Sequence, residues 1–306
     1  MPRTLLPETA VRLDCFGGTV AVLASGPRPD EVRRAQDRAA GVAADVHRRL
    51  TRFDAGSELS LLNADPRTAV PASPLLRRFA AAVHWAGAAS RGLVDATCLP
   101  AVEAAGYREH WSPTRSPPGD GPGWAAWPSA PSPGRWREVL VDRDRVVRPA
   151  DTRMDSGGLA KGLAADAMAR ALAGCETWVV DCGGDLRLGG TAGAPRTVEV
   201  RDPFDDEATI HAFDLADGAV ATSGTTRRRW ASGHHLIDPR TGLPADTGVV
   251  QVTAIAPTGL EAEVRAKTAL LRGPHEAAHS LPDGGAYVTD DGALHVVRPL
   301  PGARRA

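Results

Sequence analysis

Lysine is almost absent from this chain. Lys161 and Lys267 are its only two, among 36 lysines and arginines. Arginine otherwise carries the positive charge, beside abundant Ala, Gly and Pro, the mark of a biased genomic composition. Cysteine is also scarce. Cys15, Cys98, Cys175 and Cys182 show no C-x-x-C spacing, which argues against a metal knuckle, and four in 306 residues argue against a disulfide framework. Net charge is nearly missing as well. A formal value of -1 leaves no global basic field for nucleic acid or an anionic membrane. No apolar run approaches the ~18 residues of a transmembrane helix. The first residues, MPRTLLPETAVRLDCFGG, lack the apolar stretch of a signal peptide, so a reduced, cytoplasmic protein is expected.

What remains is ordinary globular material, 42% apolar and 24% charged, enough for one large domain or two subdomains. The spacing predicts a strand over 18–25 and a helix over 30–50 with Asp30 as N-cap. A loop running into a short helix follows over 53–63, and an amphipathic helix over 74–90. Residues 112–134 hold seven prolines and read as an exposed insertion, with Trp124 and Trp127 to pin it. Beyond it come a hairpin over 136–149, two strands about a Gly-Gly turn over 177–190, and strands over 197–203, 211–224 and 249–257. A helix over 262–273, closed by Gly273, and a hairpin over 284–297 complete the chain. Helices and strands do not alternate strictly, which favours α+β, with a single domain over 11–300.

Three stretches combine polar chemistry with turn residues. DSGGLAKG (155–162) sets Asp155 beside a double glycine that opens a helix, with Lys161 within two turns. That suits an anion cradle, although the stretch by itself favours a plain glycine turn with a solvated lysine. VDCGGDLRLGG (180–190) reads the same two ways: a close backbone approach to a ligand, or a tight strand-to-strand turn. In ATSGTTRRRWASGHHLIDPRTGLP (221–244), His234 and His235 stand near Asp238, a pairing suited to proton transfer near neutral pH. One exposed and one core histidine before a turn would give the same string. A Ser-His-Asp hydrolase finds no support, because no G-x-S-x-G elbow occurs.

Taken in order, SELSLLN (57–63), VDATCLPAVEAAGY (94–107), MDSGGLAKG (154–162), VDCGGDLRLGG, ATSG (221–224), HHLIDPRTG (234–242) and AEVRAKTALLRG (262–273) resemble the ApbE family of flavin transferases. The likeness runs from about Gly18 to about Val297 and leaves the Pro-rich segment unmatched. It implies two intertwined α+β subdomains with mixed or antiparallel sheets and an FAD cleft between them. It also implies transfer of FMN from FAD to a Thr or Ser hydroxyl of an acceptor protein, with release of AMP. Two other activities are compatible with such a scaffold: FAD binding without catalysis, and hydrolysis of FAD to FMN and AMP. By resemblance, Gly17, Val94, Asp95, Thr97, Asp155, Lys161 and Ile237 are flavin-nucleotide positions, and His235 is the residue of the transfer step. Gly158 and Thr268 are positions of a magnesium site. One departure stands out. The family's last motif carries an Asp four residues before the Thr, and here that place holds Val264. Glu263 is adjacent but turned about 100° around a helix, so weakened magnesium binding is expected, with Lys267 beside it.

Overall fold

The computed structural model describes residues 6–109, 134–230 and 233–300. Its centre is an eight-stranded antiparallel meander, whose strands alone are numbered here. They are β1 (Thr9–Cys15), β2 (Gly18–Ser25), β3 (Thr177–Cys182), β4 (Leu186–Gly189), β5 (Gly218–Gly224), β6 (Val249–Ala256), β7 (Gly285–Thr289) and β8 (Leu294–Val297). Each strand pairs with the next in sequence. What distinguishes the fold lies in the connections.

The long connection from β2 to β3 carries most of the helices: α1 (Pro29–Leu50), α2 (Glu58–Ala64), α3 (Pro74–Ala89), α4 (Leu99–Ala104) and α5 (Ala160–Leu172). A three-stranded sheet of Ala69–Pro71, Arg145–Val147 and Leu140–Asp142 lies in the same connection. Helix α6 (Gly259–Arg272) joins β6 to β7. The smaller subdomain is therefore inserted within the larger, and the architecture is α+β.

Helix α1 starts at Pro29, one residue before the expected cap. Asp30 and Glu31 fall in its first turn, and His47, Arg48 and Arg49 in its last, each sign suited to its end of the helix dipole. Val32, Ala35, Ala39, Ala43, Val46 and Leu50 form its buried stripe. Buried Gln36 donates to the carbonyls of Thr9 and Val22, tying the helix to β1 and β2. Strand β3 is covered on both faces. Trp178, Val180 and Cys182 pack towards α1 and α5, while Val179 packs with Val198 and Leu215 of a hairpin, Arg196–Arg201 and Thr209–Leu215, outside the main sheet. The sequence expectation of one strand over 211–224 thus resolves into two strands in different sheets, broken at Ala216 and Asp217 ahead of Gly218, whose φ is 129°.

Helices α5 and α6 cross at unusually close range. A Cβ on Gly162 would lie 2.6 Å from the Gly259 carbonyl oxygen and 2.7 Å from the Leu260 Cα. Across the same contact, the Asp166 carboxylate accepts the N–H groups of Gly259 (2.7 Å) and Leu260 (3.0 Å), serving the first turn of the neighbouring helix. The Glu263 carboxylate accepts the Gly162 N–H in return, at 2.9 Å. This crossing sets Lys161 on one helix against Glu263 and Lys267 on the other. The Pro-rich segment 112–134, except Gly134, lies outside the described residues, as do Trp124 and Trp127. Among the described residues no helix is long and apolar enough to cross a membrane.

Candidate active-site cleft

The cleft lies between the two subdomains and opens to solvent at its mouth. Gly17, Val94, Asp95, Asp155, Gly158, Lys161, His235 and Ile237 all line it, although they come from four separate stretches of chain. Thr97 and Thr268 do not line it.

Each stretch is held by an identifiable device. Phe16 and Gly17 form the two-residue turn between β1 and β2, both with positive φ (56° and 74°), as a tight hairpin of this hand requires. The Phe16 N–H donates to His47 Nδ1 (3.3 Å), which brings the turn against the end of α1. Asp95 caps the short helical turn Ala96–Cys98. One carboxylate oxygen accepts both the N–H and the hydroxyl of Thr97, and the other accepts the Gly134 N–H at 3.2 Å. Thr97 therefore orients Asp95 from beneath. Asp155 donates its N–H to the Ala96 carbonyl (2.8 Å) and so joins the second stretch to the third.

The double glycine of DSGG serves close approach, because neither Gly157 nor Gly158 has positive φ. A Cβ on Gly157 would sit 2.9 Å from Asp155 Oδ2, and one on Gly158 would sit 3.3 Å from Lys267 Cε. In VDCGG the opposite holds. Gly183 (φ 67°) and Gly184 (φ 93°) have open space beside them and form the turn from β3 to β4. That turn delivers Asp185, whose carboxylate accepts the Thr222 N–H (3.0 Å) and pairs with the Lys161 ammonium. Burial opposes the Lys161 charge, but Asp185 and Glu263 outweigh it, and the ammonium is held above its ordinary pKa.

The two histidines separate cleanly. His234 is a core residue: its Nε2 lies 2.9 Å from the Ala245 carbonyl and its Nδ1 accepts the Leu236 N–H. His235 faces the cleft, with a buried Nδ1 that has no hydrogen-bond partner among the described residues. Burial holds its pKa well below the ordinary value, and Arg228, His234, Lys267 and Lys161 push in the same direction. The imidazole is thus neutral at neutral pH, which is the form that accepts a proton. Asp238 is paired with Arg240 (2.7 Å), and among the described residues no hydrogen bond joins it to His235.

Two arginines of the cleft escape the sequence reading. Arg52 is nearly buried, bonds Asp155 Oδ1 at 3.0 Å, and lies over the rings of Phe53 and Tyr107. Arg228, in a left-handed conformation (φ 51°), reaches the Phe16 carbonyl at 3.2 Å. A signal existed in each case: TRF falls between the helix over 30–50 and SELSLLN, and the RRR run follows ATSG. In a chain whose basic residues are nearly all arginine, neither stood out.

The residues around Gly158 do not make a magnesium site in this arrangement. That ion takes hard oxygen ligands in near-octahedral array. The Thr268 hydroxyl donates to the Val264 carbonyl (2.7 Å), and the Val264 side chain is buried in the core of the smaller subdomain with Leu59, Leu62 and Phe79. Glu263 directs one oxygen to Gly162 N–H and the other to Lys267 Nζ.

A profile of the ApbE family matches residues 16–286. A Klebsiella pneumoniae protein named FAD:protein FMN transferase is 30% identical over 66% of this chain and 60% of its own length. An Escherichia coli K12 protein of the same name is 34% identical over 42% of this chain and 39% of its own length. The chain therefore spans less than two thirds of these curated relatives. The crystal structure of the ApbE protein of Thermotoga maritima superposes with a TM-score of 0.82 at 25% identity, covering 95% of this chain and 97% of that one. The flavin transferase ApbE of Vibrio cholerae shares the fold, with a TM-score of 0.76 at 21% identity over 95% of this chain and 98% of that one.

Proposed function

This chain belongs to the ApbE family, and on that premise we propose that it transfers FMN from FAD to a Thr or Ser hydroxyl of an acceptor protein. The observation that carries the reading is His235: a neutral imidazole with an unpartnered buried nitrogen, facing a cleft that also presents Lys161, Lys267 and Arg228. An anion and a proton acceptor are wanted at the same place when a hydroxyl attacks a pyrophosphate. The acceptor oxygen bonds to the phosphorus of the FMN half. The bond from that phosphorus to the bridging oxygen breaks, and AMP leaves. The hydroxyl proton passes to His235, and the cations stabilise the charge that develops on the phosphoryl oxygens. The apolar wall made by Leu99, Val102 and Ile237 offers a surface for the ligand's rings.

Magnesium in this family's chemistry would neutralise phosphate charge. Of the two positions expected to hold it, Thr268 turns its hydroxyl onto the Val264 carbonyl and does not line the cleft, so the residues present do not fit that ion.

Incubating the purified chain with FAD and an acceptor domain bearing one candidate Thr or Ser separates the readings. Transfer predicts AMP together with flavin covalently attached to the acceptor, seen as a mass increase. AMP with free FMN and an unmodified acceptor would show hydrolysis. Bound but intact FAD would show a flavin carrier, and either result would contradict transfer.

A further inference from the structure

We propose that the Lys267 ammonium is the resident cation of the pyrophosphate site, so that this chain binds FAD without a divalent metal. The inference rests on the flavin reading above and concerns a residue outside the matched nucleotide and metal positions.

Lys267 is placed as a binding group. Its stem crosses Gly158, where a Cβ would meet Cε at 3.3 Å, so the glycine leaves the room that the lysine fills. Its ammonium lies 3.2 Å from Glu263 Oε1, one helical turn away, and Glu263 is almost fully buried. Glu263 is itself fixed by the Gly162 N–H across the α5–α6 crossing. The lysine is thereby anchored at its tip and along its stem, with its side chain 14% exposed and facing the cleft. An ammonium has three donors. Glu263 takes one, leaving two for an anion beside the backbone of Gly158 and the start of α5.

Charge balance supports the same assignment. Lys161 is matched by Asp185 and Lys267 by Glu263, while Arg228 reaches a carbonyl oxygen, not a carboxylate. The site is thus pre-charged for a bound pyrophosphate. A divalent ion placed beside Gly158 would lie against the Lys267 stem, which offers it no oxygen ligand, and would share the cleft with that side chain's ammonium, whose like charge repels it. Val264 sharpens the point. Its side chain belongs to the hydrophobic core, so α6 presents the cleft with a lysine and no carboxylate of its own that is free to coordinate.

The test is calorimetric titration of the full chain with FAD, once in excess EDTA and once in millimolar magnesium chloride. Wild-type protein is expected to bind FAD equally in both. Lys267→Met, which keeps length and removes charge, is expected to weaken FAD about ten- to a hundredfold, the scale of one charge-assisted hydrogen bond. Lys267→Arg, which keeps the charge, is expected to retain most of the affinity. Wild-type binding that tightens about tenfold or more with magnesium would overturn the proposal, as would a folded Lys267→Met that binds FAD like wild type. Should Lys267→Met fail to fold, the two wild-type titrations decide alone. No FAD binding in either buffer would overturn the flavin reading itself, and this inference with it. Metal-dependent binding would overturn the inference and leave that reading standing.

Discussion

Replacing His235 by alanine is expected to slow FMN transfer by about 10²–10⁴-fold, the usual contribution of a positioned proton acceptor. FAD affinity should change little, because the binding cations remain. The ratio of acceptor modification rates, set beside a flavin titration of both proteins, measures the two effects separately. Loss of affinity with an unchanged rate at saturation would assign His235 to binding instead. The pH profile carries a second signature. Burial and the surrounding cations depress the His235 pKa in the folded chain. The proton-accepting form therefore predominates at and below pH 6.5, and its loss on acidification begins only below that ordinary value. The acidic limb of the transfer rate should lie on that side. Bound pyrophosphate brings negative charge against the same cations, so the His235 ring resonances should titrate at higher pH with FAD than without it.

Gly162→Val carries the largest expected cost in stability. The new side chain would be forced into the Gly259 carbonyl and the Leu260 backbone, at 2.6–2.7 Å from the first added carbon. Backbone cannot step aside as a flexible side chain can, so the upper end of overpacking costs applies, about 3 kcal/mol. Thermal unfolding should fall by roughly 5 °C. The functional effect should be larger than the melting shift suggests. Parting α5 from α6 removes the Glu263 bond to Gly162 N–H and moves Lys161 relative to Lys267. A variant that melted like wild type and bound FAD like wild type would show that this crossing does not set the cleft.

Much of this architecture is legible in the sequence. The stripe from Val32 to Leu50 marks α1, and Asp290-Asp291-Gly292, a turn sequence between two apolar runs, marks the final hairpin. Motif order brings Gly17, Asp95, Asp155, Lys161, His235 and Ile237 together before any coordinates do. Local pattern cannot report what depends on a distant partner. It does not tell a glycine kept for positive φ, such as Gly183, from one kept for close approach, such as Gly158. It does not show that the Thr97 hydroxyl turns onto Asp95, or that the Thr268 hydroxyl turns onto the Val264 carbonyl. The break at Ala216 and Asp217 is hidden because small and apolar residues continue on either side of it while the chain changes sheets. Arg52 and Arg228 were hidden by composition, since one arginine among so many carries no signal until its neighbours are known.

The central claim is that this cleft, and no other surface, holds FAD. Hydrogen–deuterium exchange of the full chain, with and without saturating FAD, tests it most directly. Bound FAD is expected to concentrate protection in three segments: 94–98, 155–162 and 235–237. Protection confined to another face of the molecule, or an exchange pattern unchanged by FAD, would contradict it.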